Sequence, residues 1–206
     1  MQDISIRFDT GTPCWPGDTP WTCTWASEMM KGASVNVSSV ATSPHVGTHA
    51  DAPRHVRQDG IGADRLPLVP FLGRALVVDV SAMDGVITMA ALRGAGFAEG
   101  TLRLILRTGR TVATGAFPES WPTLDPEAAR NLTNDGLKLL AVDCPSVDAR
   151  ESKKLEVHHA IFNGGAFIIE NLDLRAITPG HFDLLALPMP VGALDAAPVR
   201  ALLRKP

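Results

Sequence analysis

Six histidines occur in the 206-residue chain, and three of them fall within eleven residues: His45-Val-Gly-Thr-His49-Ala-Asp51-Ala-Pro-Arg-His55. Neutral imidazole and carboxylate are the ordinary ligands of zinc and its transition-metal neighbours. Any one of these residues alone reads more simply as a surface or hydrogen-bonding group. So dense a set reads as part of a metal site, and such a site as the centre of a metal-dependent enzyme.

The spacing constrains the backbone. His45 and His49 would share a helix face, but Asp51 would not, and Pro44, Gly47 and Pro53 oppose a helix. In extended chain the odd-numbered positions 45, 49, 51 and 55 project to one side. A straight strand would still hold His45 and His49 roughly 13 Å apart, too far for one ion. The chain must curl, and Gly47 permits it.

Two histidines and an aspartate leave a metal incompletely held. The best source of further ligands is Ser152-Lys-Lys-Leu-Glu-Val-His158-His159-Ala-Ile-Phe-Asn-Gly-Gly-Ala-Phe-Ile-Ile-Glu170. On a helix, His158 shares a face with Leu155 and Phe162. Either histidine of the pair could equally be a satisfied core or surface residue. Glu170 closes the apolar run Ala166–Ile169, and is either a strand-end residue meeting solvent or a buried ligand. Burying a carboxylate unpaired is expensive, and a metal removes that cost.

Short apolar runs bounded by turn residues predict strands at Val35–Ala41, Ala75–Val80, Leu102–Thr108, Leu139–Val142, Phe167–Leu172 and Asp183–Leu187. Helices are expected between them. Thr88 can cap Met89–Arg93. Asp125, with Pro126 and Glu127 behind it, starts a helix that reaches about Asn134. Ser152 can cap Lys153–Phe162, which Gly164 and Gly165 end, and Ala197–Arg204 reads as a terminal helix. Strands alternating with helices favour an α/β domain. No repeat or low-complexity linker divides the chain, so one domain is expected over 1–206.

Composition narrows the class. A formal net charge of −3 gives no basic surface for nucleic acid or anionic membrane. No run approaches the length of a membrane span. The first residues lack a basic stretch followed by an apolar one, so no signal peptide is expected. Three cysteines without Cys-x-x-Cys spacing fit a reducing compartment, which makes cytoplasmic the default expectation. Cys14 and Cys144 read as unreactive small residues, Trp21 and Trp25 as core, and His181 as structural. No Gly-x-Ser-x-Gly elbow supports a serine hydrolase, and no glycine-rich loop supports phosphate binding.

The stretch Ser-Pro-His-x-Gly-Thr-His-x-Asp-Ala-Pro-x-His resembles the central motif of the metal-dependent cyclase family. Within that family the chain is most similar to the bacterial kynurenine formamidase (arylformamidase) branch. Trp15-Pro-Gly-Asp-Thr-Pro20 resembles the N-terminal loop of that branch, and Ser152-Lys153 with His-His and Ile-Ile-Glu-Asn-Leu resembles the second motif. The ending, Asp183-Leu-Leu-Ala-Leu-Pro and Gly-Ala-Leu-Asp-Ala-Ala-Pro-Val-Arg200, matches as well. Val56 departs from the pattern, standing where many relatives carry an aromatic residue.

The resemblance implies a single α/β domain with a mixed, barrel-like sheet and flanking helices (the swivelling β/β/α type), assembled as a homodimer. It implies His45, His49, Asp51, His158 and Glu170 as metal ligands, with Asp51 and Glu170 helping to bridge two zinc ions, manganese being the alternative. It implies His55 as acid/base and Trp15 as a contact for a small aromatic formamide. The implied reaction is hydrolysis of N-formyl-L-kynurenine to L-kynurenine and formate in tryptophan breakdown. The alternatives are an isatin-hydrolase-like enzyme of the same family and a catalytically silent metal or small-ligand binding protein. An extra histidine beside the ligands favours catalysis over mere binding.

Overall fold

Nine strands build one mixed sheet in the computed structural model, which describes residues 1–206. In chain order the strands are β1 (Gln2–Asp3), β2 (Thr22–Ser27), β3 (Val37–Ala41), β4 (His49–Asp51), β5 (Leu72–Asp79), β6 (Val86–Ile87) and β7 (Arg103–Arg107). They continue with β8 (Thr123–Leu124), β9 (Leu139–Val142), β10 (Phe167–Glu170), β11 (Gly180–Leu185), β12 (Ala196–Pro198) and β13 (Leu202–Arg204). The helices are α1 (Met89–Gly94), α2 (Pro126–Asn134) and α3 (Glu156–Asn163). β2 pairs only with β3, and β6 only with β8. The large sheet runs β1-β13-β11-β5-β7-β9-β10-β4-β12.

Its middle, β5-β7-β9-β10, is parallel. Parallel strands are covered on both faces, and the near-continuous apolar runs Leu104–Leu106, Leu139–Val142 and Phe167–Ile169 meet that demand with full burial. Antiparallel strands flank the middle on either side. The sheet then curls on itself: Asp173 N donates to Ile4 O at 2.8 Å, Ile4 N to Ala201 O at 2.9 Å, and Val199 N to Thr48 O at 3.0 Å. The result is a half-barrel with α2 and α3 packed together and α3 against β10. It is the α/β class with a barrel-like mixed sheet that the resemblance implies.

Several local expectations need correction. The expected terminal helix at Ala197–Arg204 is instead β12 and β13. Sheet edges supply partners for both segments, and Pro198, which has no N–H, sits on the outermost strand where none is needed. The helix expected from Lys153 begins at Glu156, and Ser152 Oγ instead accepts from Leu155 N at 3.1 Å in the turn before it. Thr88 does cap its helix, its side chain accepting from Ala91 N. Trp25 is 58% exposed on the β2-β3 arm rather than in the core, because that arm lies outside the large sheet. Trp21 is half-buried, edge-on to Phe8.

Candidate metal centre and pocket

The histidine motif is itself part of the sheet. His45 lies in a turn, Gly47 adopts φ +70°, and the chain then enters β4 at His49. A side chain at Gly47 would strike the Phe8 ring at 2.0 Å, so the curl requires glycine twice over. β4 lies between β10 and β12. In the β4-β10 ladder Glu170 stands directly opposite His49, and Ile168 opposite Asp51. Strand pairing thus brings together residues that are remote in sequence.

His158 arrives from α3. Asp148, in the loop after β9, accepts from the backbone N–H groups of Val157 and His158 at 3.0 Å each, capping the first turn of the helix from outside. The same carboxylate lies 2.7 Å from His158 Nδ1. With Nδ1–H donated to Asp148, Nε2 is left as a bare lone pair facing Asp51 Oδ2 at 3.4 Å and Glu170 Oε1 at 3.5 Å. His49 is oriented in the same way. Its Nδ1 lies 2.9 Å from Gly47 O, which can only accept, so Nε2 faces Asp51 Oδ1 at 3.3 Å and Glu170 Oε2 at 3.6 Å without a proton of its own. His45 Nδ1 completes that side, 3.2 Å from both His49 Nε2 and Asp51 Oδ1.

Donor atoms therefore gather in three groups: the deeper pair His45-His49-Asp51 and Asp51-His158-Glu170, with one oxygen of Asp51 in each, and the more open His45-His55-Asp195 above them. Both Asp51 oxygens and His158 Nε2 are buried without a hydrogen-bond partner. Lone pairs converging on one another in a dry site repel unless a cation or protons lie between them. The residues present fit a metal: imidazole and carboxylate donors, their outer nitrogens held by a carboxylate or a carbonyl, as metal-binding histidines usually are.

Without an ion, protons take that place. Burial opposes charge on His45, but Asp195 and Asp51 outweigh it and raise its pKa to about 9. His49 and His158 reach about 10 by the same balance, burial being overcome by Asp51 with Glu170, and by Asp148 with Asp51. Burial would raise Asp51, yet the surrounding imidazoles hold it well below the usual carboxylate range.

A cavity of about 760 Å³ opens over the cluster, lined by His45, His55, His158, Glu170 and Asp195 on one side and by Trp15 and Phe117 on another. His49 and Asp51 are buried out of reach beneath it. Trp15 meets Phe117 edge-on at 5.5 Å and Trp121 at 6.1 Å, and Trp121 Nε1 donates to Asp148 O at 2.9 Å. His55 follows β4 in a short 3-10 turn, more open than the buried histidines, with its ring 4.3 Å from that of His45. His159 turns to a separate surface depression beside Arg130 and Asn134. Val56 packs against the core.

Sequence reasoning missed two carboxylates. Asp195 Oδ2 lies 2.9 Å from His45 Nε2 and 3.2 Å from His55 Nδ1. The two imidazoles hold it far below the ordinary carboxylate range against the opposing effect of burial. Its place within Gly-Ala-Leu-Asp-Ala-Ala-Pro was the available signal. Asp148 had none beyond its position upstream of the His-His pair. Asn171 was also missed; its φ of +57° follows directly on Glu170, and its buried Oδ1 has no partner.

A family model described as "Putative cyclase" matches residues 2–149. The kynurenine formamidase of Geobacillus thermodenitrificans (strain NG80-2) is 38% identical over 98% of this chain and 96% of its own length. That of Bordetella avium (strain 197N) is 36% identical over 100% and 98%. Among solved structures, a potential metal-dependent hydrolase with cyclase activity superposes with a TM-score of 0.83 at 24% identity, covering 100% of this chain and 98% of the other. Isatin hydrolase A from Labrenzia aggregata, bound to benzyl benzoate, gives 0.82 at 20% identity over 98% and 92%. The last two likenesses speak to the fold, and the model match and full-length relatives to descent: the chain belongs to the cyclase family.

Proposed function

We propose that the chain is a metal-dependent arylformamidase, hydrolysing N-formyl-L-kynurenine to L-kynurenine and formate in tryptophan breakdown, and that its 206 residues act as one catalytic domain. The observation that carries this reading is the set of buried, partnerless acceptor atoms beneath a cavity walled by aromatic rings. Full-length relatives that are kynurenine formamidases support hydrolysis and the choice of substrate.

In this reading His45, His49 and Asp51 would hold one zinc ion and Asp51, His158 and Glu170 a second, manganese being the other metal that suits the donors. A bound ion would supply Lewis acidity, making water nucleophilic near neutral pH and polarising the formyl oxygen. Asp148 and Asp195 keep His158 and His45 in the tautomers that present a lone pair inward. His55 donates Nδ1–H to Asp195, which leaves Nε2 free to hold a proton. Imidazole is the side chain suited to that exchange near neutral pH. His55 takes the proton from the attacking water and returns it to the departing aryl amine as the formyl C–N bond breaks. The water oxygen stays with the formyl carbon, giving formate. Trp15 and Phe117 grip the aromatic ring by face and edge contacts.

A homodimer in the cytoplasm completes the reading. The exposed β2-β3 arm carries Trp25 and Val40, and Met30 at its tip is 98% exposed, an apolar surface suited to a second copy. Three free thiols suit a reducing compartment. No helix is long and apolar enough to cross a membrane. The test is protein stripped of metal, reloaded with zinc or manganese, and offered formylkynurenine and isatin. Turnover of formylkynurenine is expected, well above that of isatin. Its absence in every metal-loaded form would overturn the reading.

A further inference from the structure

We infer that Arg150, with Lys153 beside it, binds a carboxylate on the substrate, so that the site selects aryl formamides bearing an amino-acid tail over uncharged ones. This rests on the formamidase reading above and adds how the substrate is told apart from its neutral analogues.

The charges of the cavity wall are segregated. Arg150 and Lys153 are its lysine and arginine residues, and both come from the loop that leads into α3. Neither side chain is in an ion pair or hydrogen bond, whereas Arg74, Arg93, Arg107, Arg175, Arg200 and Arg204 all lie against carboxylates. Arg150 is half-buried, with its guanidinium carbon 5.5 Å from the centre of the Phe117 ring. Phe117 in turn packs edge-on to Trp15. An aromatic ring held by Trp15 and Phe117 would therefore carry its substituents beside the Arg150 guanidinium.

That geometry suits a carboxylate. A guanidinium offers two parallel N–H donors to it, and stacking on an aromatic face pre-orients the fork. Elsewhere on the lining Asp18 accepts from Ser43 Oγ through Oδ2 at 3.1 Å, and its Oδ1 is free for an ammonium group. The pattern of two cations and a separate anion beside an aromatic wall matches a zwitterionic α-amino acid attached to an aryl group. Isatin, neutral and compact, has nothing to place there. The Arg150 loop also carries Asp148, two residues upstream, which orients His158. One loop thus fixes both the tail and the reacting end.

The test compares formylkynurenine with 2′-formamidoacetophenone, the same aryl ketone without the amino-acid tail. Steady-state constants are measured for zinc-loaded wild type, Arg150→Ala, Arg150→Lys and Lys153→Ala, with metal content checked in each. In Arg150→Ala, KM for formylkynurenine is expected to rise about 10- to 100-fold, the range for losing a charge-assisted pair, with kcat little moved. Preference for the tailed substrate should fall by at least tenfold, and Arg150→Lys should recover part of it. Lys153→Ala, altering an exposed side chain and so keeping the fold intact, should lower that preference about threefold. Equal losses on both substrates in Arg150→Ala, or no change in preference in either alanine variant, would overturn the inference while leaving the formamidase reading in place. Failure of the wild type to hydrolyse either of the two substrates would overturn both readings.

Discussion

Asp195 and His55 meet at 3.2 Å, carboxylate oxygen to Nδ1, although 140 residues separate them. The same oxygen lies 2.9 Å from His45 Nε2. One carboxylate therefore sets the tautomer of a candidate ligand and of the candidate proton carrier together.

The two roles separate by mutation. His55→Ala should keep its metal and lose about 10²- to 10⁴-fold in kcat, the usual worth of a positioned acid/base. Asp195→Ala should lose about 10²-fold in kcat and also bind metal about 10-fold more weakly, because His45 loses its outer partner. Elemental analysis beside steady-state kinetics checks both. Loss of metal from His55→Ala would make His55 a ligand instead.

Asp148 makes a different prediction. It holds His158 through its ring and through the first turn of α3. Asp148→Asn should weaken metal binding about 10- to 100-fold, read by competition with a chelator. Unchanged affinity would mean that α3 alone fixes the ring.

How legible was this site beforehand? The cluster His45, His49, Asp51 and His55 was readable because ligand chemistry demands particular residue types at tight spacing, whereas the choice of His158 and Glu170 as further ligands, and of His55 as acid/base, came from the family resemblance. Asp148 and Asp195 were not, since a lone aspartate in a loop looks like any solvated acid until the fold sets it against an imidazole. The parallel strands β7, β9 and β10 were readable as apolar runs. β12 and β13 were mistaken for a helix because β4, which pairs with β12, and β1, which pairs with β13, are distant in sequence and left no local trace. The β2-β3 arm has no buried face, so period-2 burial gave no guide to β2.

The pH dependence should differ between the metal-free and loaded protein. In the metal-free form His45, His49 and His158 have folded pKa values of about 9 to 10, above the ordinary histidine value near 6.5. Their contribution to stability is complete below about 6.5 and is lost as pH rises through 9 to 10. Asp51, Asp148 and Asp195 are depressed, so theirs is complete above about 4 and lost on further acidification. Metal-free protein should therefore melt progressively lower from pH 6.5 to 9.5. In loaded protein the ion replaces those protons, the alkaline loss disappears, and stability falls instead on acidification as protons displace the ion. An equal alkaline fall in both forms, seen by calorimetry, would contradict this.

Gly47→Ala should unfold the motif locally. A positive φ and contact with the Phe8 ring together cost about 2–4 kcal/mol. That corresponds to a drop in Tm of roughly 5–15 °C for a chain of this size. Adding Phe8→Ala should return part of the loss, because it removes the clash and leaves the backbone strain. A Tm within a degree of wild type would show that Gly47 is not needed for the curl.

The most direct test is a zinc titration into stripped protein, following bound metal per chain and formylkynurenine turnover in the same samples. Activity is expected to be negligible without metal and to rise in step with bound zinc, and Asp51→Asn and Glu170→Gln should neither hold the metal nor gain activity. Full turnover by the metal-free protein, or by a variant that binds no zinc, would contradict the reading of this cluster as the catalytic metal centre.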